Sequence, residues 1–206
     1  MDIILLPTEG YASNSYLLVS SGEGAVVDPS GTLRDILSAL SEHGAVLKYI
    51  ILTHGHFDHM LTLRELREET KAKLCIHKFD APNLKDSDRS LFSRIGHPEA
   101  VFDDAEILLE DADTLPLGDE IITVLHTPGH TPGSVMLDFG GDLISVDTLF
   151  DMSVGRSDFI GGDSTALINS IFKIYDKYPN ARFYPGHGPA STIDKQIKYN
   201  PFTKQR

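Results

Sequence analysis

A single cysteine, Cys75, occurs in 206 residues. One thiol cannot close an internal disulfide or build a cysteine zinc cluster, and a reducing compartment is the simplest expectation. Basic residues are also scarce: 18 Lys and Arg stand against 30 Asp and Glu, for a formal net charge of -12. A surface of that sign repels phosphate backbones, and no basic stripe reverses it locally, so a nucleic-acid partner is not expected. Small anions stay compatible, because bound metal ions can dominate a local field. Long apolar runs are missing. The N-terminal run Ile3-Ile4-Leu5-Leu6 has no basic flank and stops at Pro7, so it does not read as a signal peptide. No stretch approaches the ~20 apolar residues that cross a bilayer. A cytoplasmic protein without a membrane partner is expected. Fine repeats and low-complexity tracts are absent as well.

What is present suits one globular domain over residues 1–206, with 41% hydrophobic and 23% charged residues. A chain of this length buries roughly 70% of the surface it exposes when unfolded, enough for a core without staples. Strands are predicted at 15–20 and 24–27, joined by Ser21-Gly22-Glu23, and at 48–52, 73–76, 120–126 and 181–184. Gly140-Gly141 between 135–139 and 143–146 is a hairpin signal. Leu33, Ile36, Leu37 and Leu40 recur at helical spacing over 32–42. Residues 61–70 also read as a helix. Residues 166–178 form another, with Leu167, Ile168, Ile171, Phe172 and Tyr175 on one face and Asp163 or Ser164 as cap. Residues 79–105, with Pro82, Gly96 and Pro98, read as irregular helix and loop. This order suggests two packed sheets with helices outside.

Five of the nine histidines sit in short motifs at predicted strand ends. The first motif, Thr53-His54-Gly55-His56-Phe57-Asp58-His59, follows a buried strand. In an extended segment His54 and His56 point the same way, leaving Asp58 and His59 to face a second point. Imidazole and carboxylate are standard ligands for zinc, iron or manganese. A lone His-x-His is more often a solvated loop, but four potential ligands within six residues after a buried strand are not. The second motif, Thr127-Pro128-Gly129-His130-Thr131-Pro132-Gly133-Ser134, holds one histidine in a rigid turn. Ser145-Val146-Asp147 places a carboxylate at a strand end, and Tyr184-Pro185-Gly186-His187-Gly188-Pro189 places a histidine after the last strand. Each of these three is weak alone. His43, His77, His97 and His126 lack ligand-like company, Cys75 reads as a buried inert thiol, and the acidic residues from Asp103 to Asp113 read as solvated loops.

Together the four motifs resemble the metallo-β-lactamase superfamily, whose ordered His-x-His-x-Asp-His, His, Asp, His set is complete here. The resemblance implies an α/β fold of four layers, an αββα sandwich with the metal site at one edge. It implies that His54, His56 and His130 hold one ion, that Asp58, His59 and His187 hold a second, and that Asp147 bridges them. Two divalent ions are expected, zinc first, with iron or manganese as alternatives. One departure is Val146, where the narrower group usually has glycine.

That narrower likeness is to the glyoxalase II group, the hydroxyacylglutathione hydrolases, in short single-domain form. It rests on the His130 motif, Asp147-Thr148-Leu149-Phe150, Gly155-Arg156-Ser157-Asp158, Gly161-Gly162-Asp163, the His187 motif and Asn200-Pro201-Phe202. The likeness implies hydrolysis of a thioester such as S-lactoylglutathione, or a related small anionic thioester, through a metal-bound hydroxide. Asp58 would be the catalytic carboxylate and Arg156 a substrate-binding cation. The C-terminal helical domain that holds glutathione in full-length members is not expected here, since the basic residues after the last motif are Lys195, Lys198, Lys204 and Arg206 on a short tail. β-Lactam cleavage is not expected as the main activity. The rival reading is a persulfide dioxygenase with a single iron on His54, His130 and Asp147, a group that also carries a segment like Gly155-Arg156-Ser157-Asp158-Phe159.

Overall fold

Two six-stranded sheets carry the site, in a computed structural model that describes residues 1–204; Arg206 lies outside the described residues. The first sheet runs β1 (Asp2–Leu6), β2 (Ser15–Ser20), β3 (Glu23–Val27), β4 (Val46–Leu52), β5 (Lys73–His77) and β6 (Ile107–Leu109) in spatial order. Its first three strands form an antiparallel meander. From β3 to β6 the strands are parallel, and parallel neighbours need crossovers. The helices α1 (Leu33–Glu42) and α2 (Leu63–Thr70) make the first two, and residues 78–106 make the third. The second sheet has the order β14-β13-β10-β9-β8-β7, with β7 at Thr114–Leu117, β8 at Glu120–His126, β9 at Val135–Phe139, β10 at Asp142–Val146, β13 at Arg182–Pro185 and β14 at Ser191–Thr192. A small hairpin of β11 (Leu149–Phe150) and β12 (Ser153–Val154) precedes α3 (Ser164–Lys177), and α4 (Ile193–Tyr199) follows β14.

The four layers follow from the two-residue alternation of strand side chains. On β2, Leu17 and Val19 pack with Ile36, Leu40, Leu63 and Leu66 of the first two helices. Tyr16 and Leu18 point the other way and meet Val124, Leu137 and Ile144 of the second sheet. The outer face of that sheet, with Met136, Leu143 and Phe183, is covered by Leu167, Ile171 and Tyr175 of α3. Each such fully buried side chain contributes roughly 1.5–3 kcal/mol, so three stacked cores hold the chain without a disulfide. Cys75 sits in the inter-sheet core, and burial there, with Glu106 adding to it, pushes its thiol up to about 12.

Several local expectations resolve into specific contacts. Thr32 caps α1 by accepting the Asp35 amide at 3.2 Å. Asp163, not Ser164, caps α3, accepting the amides of Thr165 and Ala166 at 2.8 and 3.0 Å. The turn between β2 and β3 is the pair Ser21-Gly22, with φ of 46° and 80°, and Glu23 already belongs to the strand. Residues 79–105 contain the short 3-10 turns Ala81–Leu84 and Phe92–Ile95. Glu106 is more than a solvated acid: it accepts the Leu74 amide at 2.8 Å and pairs with Arg67. The expected C-terminal tail is α4, tied down where Gln196 accepts the Met152 amide and Asn200 donates to the Ser153 carbonyl.

Candidate metal centre

Strand direction decides which side chains meet. The strands β3, β4 and β5 are parallel, β10 and β13 are parallel, and β8 shares their direction through its antiparallel neighbour β9. Their C-terminal ends therefore open on one edge of the sandwich. The first sheet delivers Asp28, residues 53–59 and Asp80 there, and the second delivers His130, Asp147 and His187.

The geometry brings all seven sequence-predicted residues together. His54 Nε2, His56 Nδ1 and His130 Nε2 lie 3.0 to 3.2 Å from one another. Nitrogens about 2.0–2.1 Å from a tetrahedral ion sit about 3.3 Å apart, so this triangle has the size of a ligand face. Hydrogen bonds at the far side of two rings fix their tautomers. His130 Nδ1 donates to the Arg156 carbonyl at 2.7 Å, leaving Nε2 with its lone pair. Thr53 donates its hydroxyl proton to Asp28, so its oxygen accepts from His54 Nδ1 at 3.3 Å and His54 Nε2 is bare. On the second side, Asp58, His59 and His187 form another cluster. His187 Nε2 is 3.2 Å and His59 Nε2 3.6 Å from Asp58 Oδ2. Asp147 stands between the clusters, with Oδ2 3.6 Å from His130 Nε2 and 3.7 Å from His187 Nε2, and Oδ1 3.5 Å from His59 Nε2.

The donor set fits divalent cations. His59 Nε2 and Asp147 Oδ1 are buried with no hydrogen-bond partner among the described residues. Buried polar atoms are rarely left that way unless something else satisfies them. Burial first, then His59, His56, His130 and His187, holds His54 well below the usual imidazole range, and burial with His130 and His59 pulls His56 down to about 3. Both rings are thus neutral and ready to donate a lone pair. Burial opposes charge on Asp147, but His59, His130 and His187 outweigh it and keep the carboxylate ionised.

Three residues that support this arrangement were not singled out by the sequence. Asp28 is fully buried after β3 and accepts His59 Nδ1–H at 2.9 Å, the Thr53 amide at 2.8 Å and the Thr53 hydroxyl at 2.7 Å. Its signal was the one that marked Asp147, a carboxylate directly after an apolar strand. Asp80 bonds to both the first and second motifs. Asn14 holds the His187 turn, donating from its side chain to the carbonyls of Pro185 and Gly188, both at 2.9 Å. The turn must be tight: a Cβ on Gly186 would lie 2.2 Å from Asp147 Oδ1. Val146 adopts φ 38°, a left-handed conformation that is a genuine outlier for a β-branched residue. Its effect is therefore on backbone strain as well as on packing.

A cavity of about 240 Å³ opens beside the clusters, with His56, Asp58, His130, Asp147 and His187 on one wall. Phe57, Leu91, Phe150 and Phe159 supply the apolar walls, and Arg156 stands at the mouth. The Arg156 side chain is exposed, binds Asp158 at 2.7 and 2.9 Å, and lies 4.3 Å from the centre of the Phe159 ring. Away from the cavity, His77 and His126 stack on each other at 4.1 Å, while His43 and His97 are exposed.

The sequence profile of the metallo-beta-lactamase superfamily matches residues 8–187, a span that contains all seven clustered residues. The chain belongs to the metallo-β-lactamase superfamily. The probable metallo-hydrolase YqgX of Bacillus subtilis (strain 168) is 32% identical over 200 residues, covering 96% of this chain and 95% of its own. The BLEG-1 B3 metallo-beta-lactamase superposes with a TM-score of 0.90 at 31% identity, over 98% of this chain and 100% of that one. TTHA1623, solved in a di-iron-bound form, gives 0.81 at 31% identity, over 97% and 100%. In a metallo-β-lactamase fold these clusters indicate divalent metal ions. No described helix is long and apolar enough to cross a membrane.

Proposed function

We propose that this metallo-β-lactamase-fold chain is a binuclear metal-dependent hydrolase that cleaves small, anionic thioesters of the S-lactoylglutathione type. His54, His56 and His130 would hold one ion and Asp58, His59 and His187 the other, with Asp147 shared. Bound divalent ions supply a water that is acidic near neutral pH and polarise the scissile carbonyl. The chain's own residues do the rest. Asp58 faces the cavity and positions the attacking water, and the Phe57, Leu91, Phe150 and Phe159 walls exclude bulk solvent from the acyl group.

The composition of the cavity wall carries this reading. Outside the metal clusters, the one titratable side chain lining it among the described residues is Arg156, which cannot serve as a general acid at neutral pH. A leaving thiolate, with a pKa of about 8.5, departs without a proton donor. A lactam or amide nitrogen is a far more basic leaving group and gains more from one. The volume of about 240 Å³ lies below the range usual for a whole drug-sized ligand, so the acyl end enters and the carrier stays at the mouth. The decisive comparison is hydrolysis of a thioester, its oxygen ester and a β-lactam by the same metal-loaded preparation. The thioester should be preferred by at least about tenfold in kcat/KM over both. Equal or better turnover of the β-lactam contradicts the reading.

A second reading, iron-dependent persulfide dioxygenation, is favoured by one observation: His54, His130 and Asp147 converge and would suffice for a single ion. Oxygen uptake with a persulfide by iron-loaded protein separates it from hydrolysis.

A further inference from the structure

Asp80 lies just after β5, is completely buried, and belongs to none of the ligand clusters. Its Oδ2 accepts the Gly55 amide at 2.9 Å and the Thr131 hydroxyl at 2.7 Å, and its Oδ1 accepts the Gly133 amide at 2.7 Å. Gly55 sits between His54 and His56, and Thr131 directly follows His130. One carboxylate from the first sheet therefore holds both loops that carry the His54, His56 and His130 triangle, through the backbone at Gly55 and Gly133 and the side chain at Thr131. It does so across the junction between the two sheets.

The surroundings leave the grip little slack. The Asp80 amide donates to the His77 carbonyl and its own carbonyl takes the Asn83 amide, both at 2.9 Å, so the turn carrying the carboxylate is itself fixed. A Cβ on Gly55 would lie 2.5 Å from Asn83 Cβ, and one on Gly133 would lie 2.6 Å from Asp80 Oδ1. Both loops need glycine to come this close. No hydrogen bond joins Asp80 to Asp58, His59 or His187 in the described residues; His59 is oriented by Asp28 instead.

We propose that Asp80 is the positioning residue of the first metal site: it sets the separation of the His54-Gly55-His56 and His130-Thr131 loops, and so governs the affinity of that site and not of the second. The inference rests on the reading of the clusters as metal sites. Removing a hydrogen-bonded partner that orients ligands costs typically 10–100-fold in metal affinity. Asp80→Asn keeps the shape but turns one acceptor into an NH2 facing donors.

The test is metal content under graded chelator competition, measured by elemental analysis on zinc-loaded protein whose fold is checked by circular dichroism. The parent should hold two ions. Asp80→Asn should lose one ion at a ten- to hundredfold lower chelator concentration and keep the other as the parent does. In a His187→Ala background, which disables the second cluster, adding Asp80→Asn should leave no tightly held ion. A folded Asp80→Asn that keeps both ions at parental affinity, or loosens both equally, overturns the proposal. If Asp80→Asn does not fold, Thr131→Val removes one of the three bonds and should weaken one ion several-fold; unchanged retention overturns the proposal. A parent that binds no ion overturns the metal reading and this inference with it, whereas a two-ion parent with an unaffected variant overturns the inference alone.

Discussion

The main-chain carbonyl of Arg156 accepts the Nδ1–H of His130 at 2.7 Å, so one residue orients a cluster histidine with its backbone and faces the cavity mouth with its side chain. The two roles separate on mutation. Arg156→Ala keeps the carbonyl and should leave kcat within about twofold, while KM for an anionic thioester rises roughly three- to tenfold, as loss of uniform binding predicts. Steady-state kinetics decides it. An unchanged KM would assign the guanidinium to its pair with Asp158 and its stacking on Phe159 alone.

Asp58 is held by its neighbours in the charged form: burial works against that, but His59 and the hydrogen bond from His187 prevail. Asp58→Ala removes both a ligand of the second cluster and the group proposed to position water. Hydrolysis should fall by at least about a hundredfold, equivalent to about 2.7 kcal/mol of barrier. The first cluster should still hold one ion. Full activity in Asp58→Ala would be incompatible with a two-metal mechanism.

The centre was legible in the sequence because its residues come in motifs. His54, His56, Asp58 and His59 fall within one turn, and His130, Asp147 and His187 each follow a recognisable strand. Asp28 carried the same strand-end sign as Asp147 but stood outside the four motifs, whereas Asp80 and Asn14 were not legible, since each acts on chain far away in sequence: Asn14 on the 185–188 turn, Asp80 on Thr131 and Gly133. Four of the outer elements were missed for a related reason. The strands β1, β6 and β7 are three to five residues long and α4 has seven, too few for periodicity to stand out from loop. The left-handed φ of Val146 had no local sign either, because a β-branched residue argues against that conformation.

His77 links stability to pH. Its Nδ1 accepts the Phe79 amide at 3.3 Å and its ring stacks on His126. Burial first, then His126 and Lys78, lowers it to about 4. Between the ordinary imidazole value near 6.5 and about 4, the unfolded chain binds a proton that the folded chain refuses. The stabilisation is complete above pH 6.5 and is lost as pH falls toward 4. His77→Asn keeps an acceptor near the Nδ1 position without the titration. Urea unfolding at pH 7.5 and pH 5 should show a smaller loss for His77→Asn than for the parent. Equal losses would show that His77 does not carry this pH dependence.

Two of the basic residues that follow the last motif are engaged elsewhere. Lys195 binds Asp151 at 2.8 Å and Lys198 lies 3.6 Å from Asp194 along α4. With those lysines neutralised, a tripeptide carrier finds few cationic partners in the described residues, and each of its carboxylates wants one. The KM for S-lactoylglutathione is expected in the upper micromolar to millimolar range, roughly the upper part of what enzymes show, with coenzyme A and alkyl thioesters accepted comparably. A low micromolar KM confined to the glutathione ester would show that a dedicated carrier site exists.

If two ions act together across Asp147, reconstitution of the metal-free protein must show it. Metal-free protein is titrated with zinc while thiol release from S-lactoylglutathione is followed against ions bound per chain. Most of the activity should appear with the second equivalent, and the curve should break near two. A break at one equivalent, with no gain from the second, would contradict it.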